Sequence, residues 1–228
     1  MTTDRFALPV NVRRWLDHSF PSDMPIPKRI INTQEGEIDV RDKWVPFTAD
    51  TVYDRDLFAF VWRARLKVLP GMWVVAEDGH DGEKGWGGSK LWGIIPMGGR
   101  TDSEVFRMQL IRSLAELPWI PQFALAIPGL EWKDTNDNSF EVRTVVGNQE
   151  VSVSFKLNRD NEITQASSKR HYDVPDGFVE VPWRVDFSDY REFGSVRFPA
   201  SAVATYEKSD GQWVYWKGKI VIRQKMAG

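Results

Sequence analysis

The stretch "LFAFVWRARLKVL", Leu57 to Leu69, decides what kind of protein this is. On an extended chain Phe58, Phe60, Trp62, Ala64, Leu66 and Val68 fall on one side, and Arg63, Arg65 and Lys67 on the other. A period of two with one bulky apolar face and one cationic face predicts a strand buried on one side and wet on the other. Pro70-Gly71 then turns the chain, and "MWVVAEDG" returns as an antiparallel partner.

On its N-terminal side, "KRIINTQEGEIDV" (Lys28 to Val40) alternates loosely and reads as a strand with a bulge at Gly36. "KWVPFTADTVYD" reads as an apolar turn followed by one helical turn capped by Thr48. On its C-terminal side, the glycine-rich "DGHDGEKGWGG" leads to a single further strand at "SKLWGIIPM". Beyond residue 128 the chain turns strongly to β, with candidate strands near 130–134, 139–146, 149–157, 162–171, 178–189, 198–207 and 212–224. The short segments between them, such as "DTNDN", "VGNQ" and "SDGQ", suit hairpins.

Two helices interrupt this pattern. Pro9 suits a first helical turn, and Val12, Trp15, Leu16 and Ser19 share a face before "FPSDMPIP". Thr101 and Glu104 have capping-box spacing, and Phe106, Leu110, Leu114 and Leu117 form one stripe, so 102–117 reads as an amphipathic helix ended by Pro118. The proline-broken, tryptophan-bearing tail after it is too apolar for solvent. The expectation is a mainly β protein: about eleven strands in an antiparallel, strongly curved sheet or open barrel, with the N-terminal and central helices over its concave face. No repeat, low-complexity tract or linker divides the chain, so residues 1–228 read as a single domain.

Charge and composition exclude several function classes. Net charge is −2 and the basic residues are scattered, so no phosphate-tracking surface for nucleic acid is expected. The chain has no cysteine, which removes disulfides and thiolate chemistry and fits a reducing compartment. No apolar run approaches the roughly 18 residues of a transmembrane helix, and "MTTDRFALPVNVRRWLDHSF" has no signal-peptide core; a cytoplasmic location follows as an expectation. The common hydrolase, metalloprotease and phosphate-loop motifs are missing, no cofactor is implied, and whether the chain is an enzyme stays open.

Several segments quoted above carry a resemblance. "KWVPFTAD", "FVWRARLKVLPGMWVVAEDGHDGEKGW", "MQLIRSLAELPWIPQFAL" and "PWRVDFSDYREFGSVRFPASAVATY" resemble, in that order and over almost the whole chain, an uncharacterised bacterial family, a domain of unknown function. Its W-x-x-F-x-A motif corresponds to Trp44, Phe47 and Ala49, its R-x-L-x-E helix to Arg112, Leu114 and Glu116, and its W-x-P to Trp119 and Pro121. The glycine-rich loop departs from the family's D-x-Y-x-x-G-x-G pattern, with His80 at the aromatic position. The element order is also similar to the lipoprotein-carrier (LolA-like) fold, which implies an unclosed antiparallel barrel with helices over an apolar cavity. That analogy concerns the fold and does not imply lipoprotein transport here.

Eleven tryptophans and thirteen phenylalanines form a large aromatic complement. Indoles suit acyl chains and ring faces, and they also simply fill cores. We read Trp62, Trp92, Trp119 and Trp132 as candidate ligand-binding residues, with Arg112 and Glu116, four apart on one helix, at a polar end. The plainer reading of that pair is a clamp between helix and strand. "EDGHDGE" reads as a hairpin tip rather than a metal site, because neighbours on an extended chain point apart. "DTNDNS" starts like a calcium loop, but Ser139 and Val145 stand where glycine and a bidentate glutamate are required, so no metal is expected. The function expected is binding of an apolar or amphipathic, lipid-like molecule. The alternatives are an interaction module with a filled core, and a hydrolase or isomerase pairing Glu116 with Asp186 or Asp189.

Overall fold

A computed structural model describes residues 3–174 and 177–226. The alternation at 57–69 becomes β3 (Ala59–Leu69), whose Phe60, Trp62, Ala64 and Leu66 are buried while Arg63, Arg65 and Lys67 are exposed. The alternation fails at its ends. Phe58 precedes the strand in the left-handed region at φ 44°, and the pairing slips between Lys67 and Leu69, turning Val68 outward.

Around β3 lie β1 (Arg29–Asp39), β2 (Trp44–Asp54), β4 (Met72–His80), β5 (Gly85–Leu91) and β6 (Ile95–Arg100). The second half supplies β7 (Glu131–Asn136), β8 (Ser139–Val146), β9 (Gln149–Leu157), β10 (Ile163–Val174), β11 (Gly177–Phe193), β12 (Val196–Lys208) and β13 (Gly211–Met226). Among the described residues these form one 13-stranded antiparallel sheet, in the order β6-β5-β4-β3-β2-β1-β13-β12-β11-β10-β9-β8-β7. It is mainly β and unclosed, as expected, with two strands more than the sequence suggested. "KWVPFTADTVYD" is β2 and not a turn, because Val45, Phe47, Ala49, Thr51 and Tyr53 alternate inward and are buried. "SKLWGIIPM" is no single strand either: it folds back at Trp92-Gly93-Ile94, so its halves belong to β5 and β6. The bulge expected at Gly36 lies instead between Thr33 and Gln34. Gly36 serves close approach, since a Cβ there would sit 2.1 Å from the Lys217 carbonyl oxygen.

Among the described residues one connection leaves the meander. Between β6 and β7, at opposite edges, the chain passes through α2 (Ser103–Ala115). This helix packs on β4 and β5 from one half and on β9 and β10 from the other. In a flat sheet β5 and β9 would stand roughly 40 Å apart at ~4.8 Å per strand, about twice the length of a 13-residue helix. The sheet must therefore curl around α2, which lies in its hollow. At Gly85 the packing reaches the backbone itself, where a Cβ would fall 2.4 Å from the Phe106 Cα.

Asp102 caps α2, its carboxylate accepting from the Glu104 and Val105 amides at 3.0 Å. The cap is thus one residue later than the Thr101 box predicted, because Asp102 reaches two orphan N–H groups at once. Phe106, Leu110, Leu114 and Leu117 are all buried. After Ala115 the tail forms two short 3₁₀ turns, Leu117–Trp119 and Pro121–Leu125, packed into the sheet. Trp119 Nε1 donates to the Pro199 carbonyl at 3.0 Å, and Arg223 donates to the Trp119 carbonyl at 2.7 Å and to Gln122 Oε1 at 2.8 Å. The proline-broken segment is therefore a plug, tied to the sheet by the Trp119 indole and by Arg223, which meets the Trp119 carbonyl.

The N-terminal helix α1 (Val10–Ser19) covers the other end of the hollow with Val12, Trp15, Leu16 and Ser19 inward. Trp15 stacks on Phe140 and Phe155, with ring centroids 5.7 and 6.5 Å away. Pro9 offers no side-chain cap, and the Asp134 carboxylate on β7 accepts the Asn11 amide instead, at 3.3 Å. Among the described residues no helix is long and apolar enough to cross a membrane.

Candidate ligand cavity

Where α2 bridges the two halves it leaves a cavity of about 540 Å³. Strand periodicity builds its floor: Trp183, Val185 and Phe187 of β11 recur every second residue and turn inward. On β13 the rule is broken usefully. The pairing with β12 slips between Ala204 and Thr205, leaving Tyr215 as an extra residue, so that Tyr215 and its neighbour Trp216 both line the cavity. The Trp216 ring lies across Gly218, where a Cβ would fall 2.5 Å from it. Trp119 closes this end, edge-on to Phe187 with centroids 5.7 Å apart.

At the α2 wall the Arg112 guanidinium lies between two acids. Its Nε donates to Glu116 Oε1 at 2.7 Å, and one terminal nitrogen reaches Asp78 Oδ2 at 3.3 Å. Its carbon stands 5.0 Å from the Phe60 ring centroid and 5.1 Å from that of Trp62, so cation–π contact adds to the pairing. The other Glu116 oxygen accepts the Tyr53 hydroxyl at 2.6 Å, and Trp62 Nε1 donates to Gln34 Oε1 at 3.0 Å. Burial, then the Glu116 charge, pushes the Tyr53 phenol well above its ordinary range. Burial disfavours the Arg112 charge, but Glu116 and Asp78 outweigh it and bind the proton more firmly. The Asp78 carboxyl is raised by burial, against Arg112 and Arg170. Its side chain keeps 34% of its surface accessible, consistent with a position on the cavity wall.

Four of the six residues singled out from sequence, Trp62, Arg112, Glu116 and Trp119, surround this one cavity. The other two lie elsewhere. Trp92 occupies the β5–β6 turn with φ 53° and 41% of its surface exposed, its Nε1 donating to the Gly71 carbonyl. Trp132 packs under α1, 6.3 Å from Trp15 and 5.9 Å from Phe140. The proposed acid partners of Glu116 are corrected outright: Asp186 faces outward with Arg184 and Gln165, between inward Val185 and Phe187, and Asp189 pairs with Arg191 on the surface. The second carboxyl of the cavity is Asp78, which the sequence assigned to a hairpin tip. The tip itself begins after His80, which is wholly buried and touches Ser113 of α2. Arg170, Tyr172, Tyr206 and Tyr215 also line the cavity and were not singled out. Alternation in β10 and β12 was the only signal for the first three, and it does not say which face is concave; Tyr215 on β13 turns inward through the slip in the β12–β13 pairing.

Two solved structures share this architecture at very low identity. A LolA superfamily protein from Nitrosomonas europaea superposes with a TM-score of 0.50 at 8% identity, covering 96% of this chain and 92% of its own. A domain described as an outer membrane lipoprotein-sorting protein, from Vibrio parahaemolyticus, gives a TM-score of 0.50 at 8% identity over 99% and 94%. At such identity the likeness establishes the LolA-like fold alone. No curated protein matches the chain. A family model, however, matches residues 1–218, and the chain therefore belongs to a family of unknown function, DUF6544.

Proposed function

We propose that this protein binds an apolar or amphipathic small molecule, lipid-like in character, in the cavity beneath α2. The observation that carries the reading is the cavity itself: about 540 Å³, within the roughly 300–1,000 Å³ of small-molecule sites, with aromatic walls and an ionic cluster of Arg112, Glu116 and Asp78 at one wall. Trp62, Trp119 and Trp216 would meet the apolar part, and Arg112 with Glu116 would define a polar end. The description of one fold neighbour as a lipoprotein-sorting protein is in keeping with a lipid-like ligand, by analogy of fold only. A module with a completely filled interior fits this hollow less well. The continuous sheet supports reading residues 1–228 as one domain, and the cysteine-free sequence supports the cytoplasm as its compartment.

Native mass spectrometry and solvent extraction of protein purified from cells test the proposal. The expected result is a co-purifying hydrophobic molecule that Trp119→Ala releases or weakens. Repeated recovery of ligand-free protein that also fails to take up fatty acids, sterols or apolar dyes overturns it.

A further inference from the structure

Arg112 is matched by acids on both sides, but a second arginine of the same cavity is not. Arg170 projects from β10 with 8% of its surface exposed. Its guanidinium carbon lies 4.7 Å from the Trp183 ring centroid, and one terminal nitrogen reaches the Tyr215 hydroxyl oxygen at 3.4 Å. Its Nε is buried without a hydrogen-bond partner. Among the described residues no carboxylate comes within ion-pairing distance of Arg170; Asp78 feels its charge across the cavity but makes no contact with it.

The neighbour that Arg170 does touch is also an unfinished donor. Tyr215 Oη accepts from Trp183 Nε1 at 3.0 Å and from Arg170, which occupies both lone pairs and leaves the phenolic hydrogen to be given. The terminal N–H groups of Arg170 and the Tyr215 O–H are thus donors beside the cavity, and among the described residues no carboxylate stands within hydrogen-bond distance of them. A buried guanidinium without a counter-ion is costly, and a planar fork with free donors is the arrangement that recognises a carboxylate or phosphate.

We infer that the ligand is an anionic amphiphile whose oxyanion head is bound by Arg170 and Tyr215, with its apolar part against the indoles of Trp183, Trp213 and Trp216. This rests on the cavity reading above, and names the charge of its occupant. Delipidated protein of residues 1–228 is titrated with dodecanoate, dodecanol and inorganic phosphate, followed by tryptophan fluorescence and calorimetry. Dodecanoate should bind at least about tenfold more tightly than dodecanol, and phosphate far more weakly than either. Arg170→Met should bring dodecanoate close to the affinity that the same variant shows for dodecanol, while Arg170→Lys keeps part of the preference. Equal binding of acid and alcohol by the wild type overturns the anion site and leaves the apolar cavity standing. Binding of neither overturns both. Phosphate as tight as dodecanoate assigns the site to a free anion and overturns the amphiphile. A preference that survives in Arg170→Met places the head group elsewhere. The wild-type comparison decides the matter even if a variant fails to fold.

Discussion

Replacing His80 by Gln should blunt the loss of stability that this protein suffers in acid. The His80 ring is wholly buried, flanked edge-on by Phe58, Phe60 and Phe106. Its Nδ1 accepts the Gly82 amide at 3.2 Å, which leaves the ring hydrogen on Nε2 to be donated to Ser113 Oγ at 2.6 Å. The neutral ring satisfies both contacts, and a protonated one would break the first. Burial, opposed by the Asp81 charge, lowers the His80 pKa from 6.5 to about 4. Between those two values the unfolded chain carries a proton on this residue and the folded chain does not, so stability is present above pH 6.5 and drains away as pH falls. At about 1.4 kcal/mol per pH unit, the loss approaches about 3 kcal/mol by pH 4. His80→Gln cannot titrate. At pH 7 it should cost about 1–2 kcal/mol, because the Gly82 amide loses its acceptor, so the two stability curves must cross in mildly acid solution. Urea unfolding read by tryptophan fluorescence at steps from pH 7 to pH 4 measures the difference directly. A gap between wild type and variant that stays constant with pH refutes the argument.

The same unfolding assay checks the placement of α2. Leu114→Ala removes a fully buried side chain between helix and sheet and should cost about 2–5 kcal/mol; a change near zero means the helix does not pack as described. Trp92→Gly removes an exposed side chain from a left-handed position that glycine adopts without strain, so stability should change by less than about 1 kcal/mol and uptake of dodecanol should be unaltered. A loss of binding in this variant moves the site to the β5–β6 turn.

The alternation of Phe60, Trp62, Ala64 and Leu66 was legible because it records an outside and an inside that persist along one strand. It stops being legible where the backbone slips, so Val68, beside the bulge in the β3–β4 pairing, was placed on the wrong face. The reading of β2 as a turn took Thr48 for a helix cap and passed over the alternating series Val45, Phe47, Ala49 on either side of it. Arg112, Glu116 and Trp119 could be found because a helix and its proline stop carry their own punctuation. Arg170 could not. "SSKRHY" reads as a wet strand, and only the curl that carries β10 beneath α2, from the opposite end of the sheet to β5, turns that arginine into a cavity group. Asp78 was hidden for a related reason: its partner Arg112 lies 34 residues away.

The strand order also dictates when this molecule can become whole. β1 is laid down early in synthesis, yet its second neighbour is β13, the latest of the described strands to be made. While the chain is emerging from a ribosome, the Arg29–Asp39 backbone therefore presents a row of unanswered amides and carbonyls, and β12 gains a similar bare margin as soon as it forms. The two growing halves are tethered through α2, and among the described residues it is 211–226 that zip them together. A nascent chain stalled before Gly211 should then behave as two tethered half-sheets that seek foreign strands, and release of the final hairpin is the event that silences both margins at once.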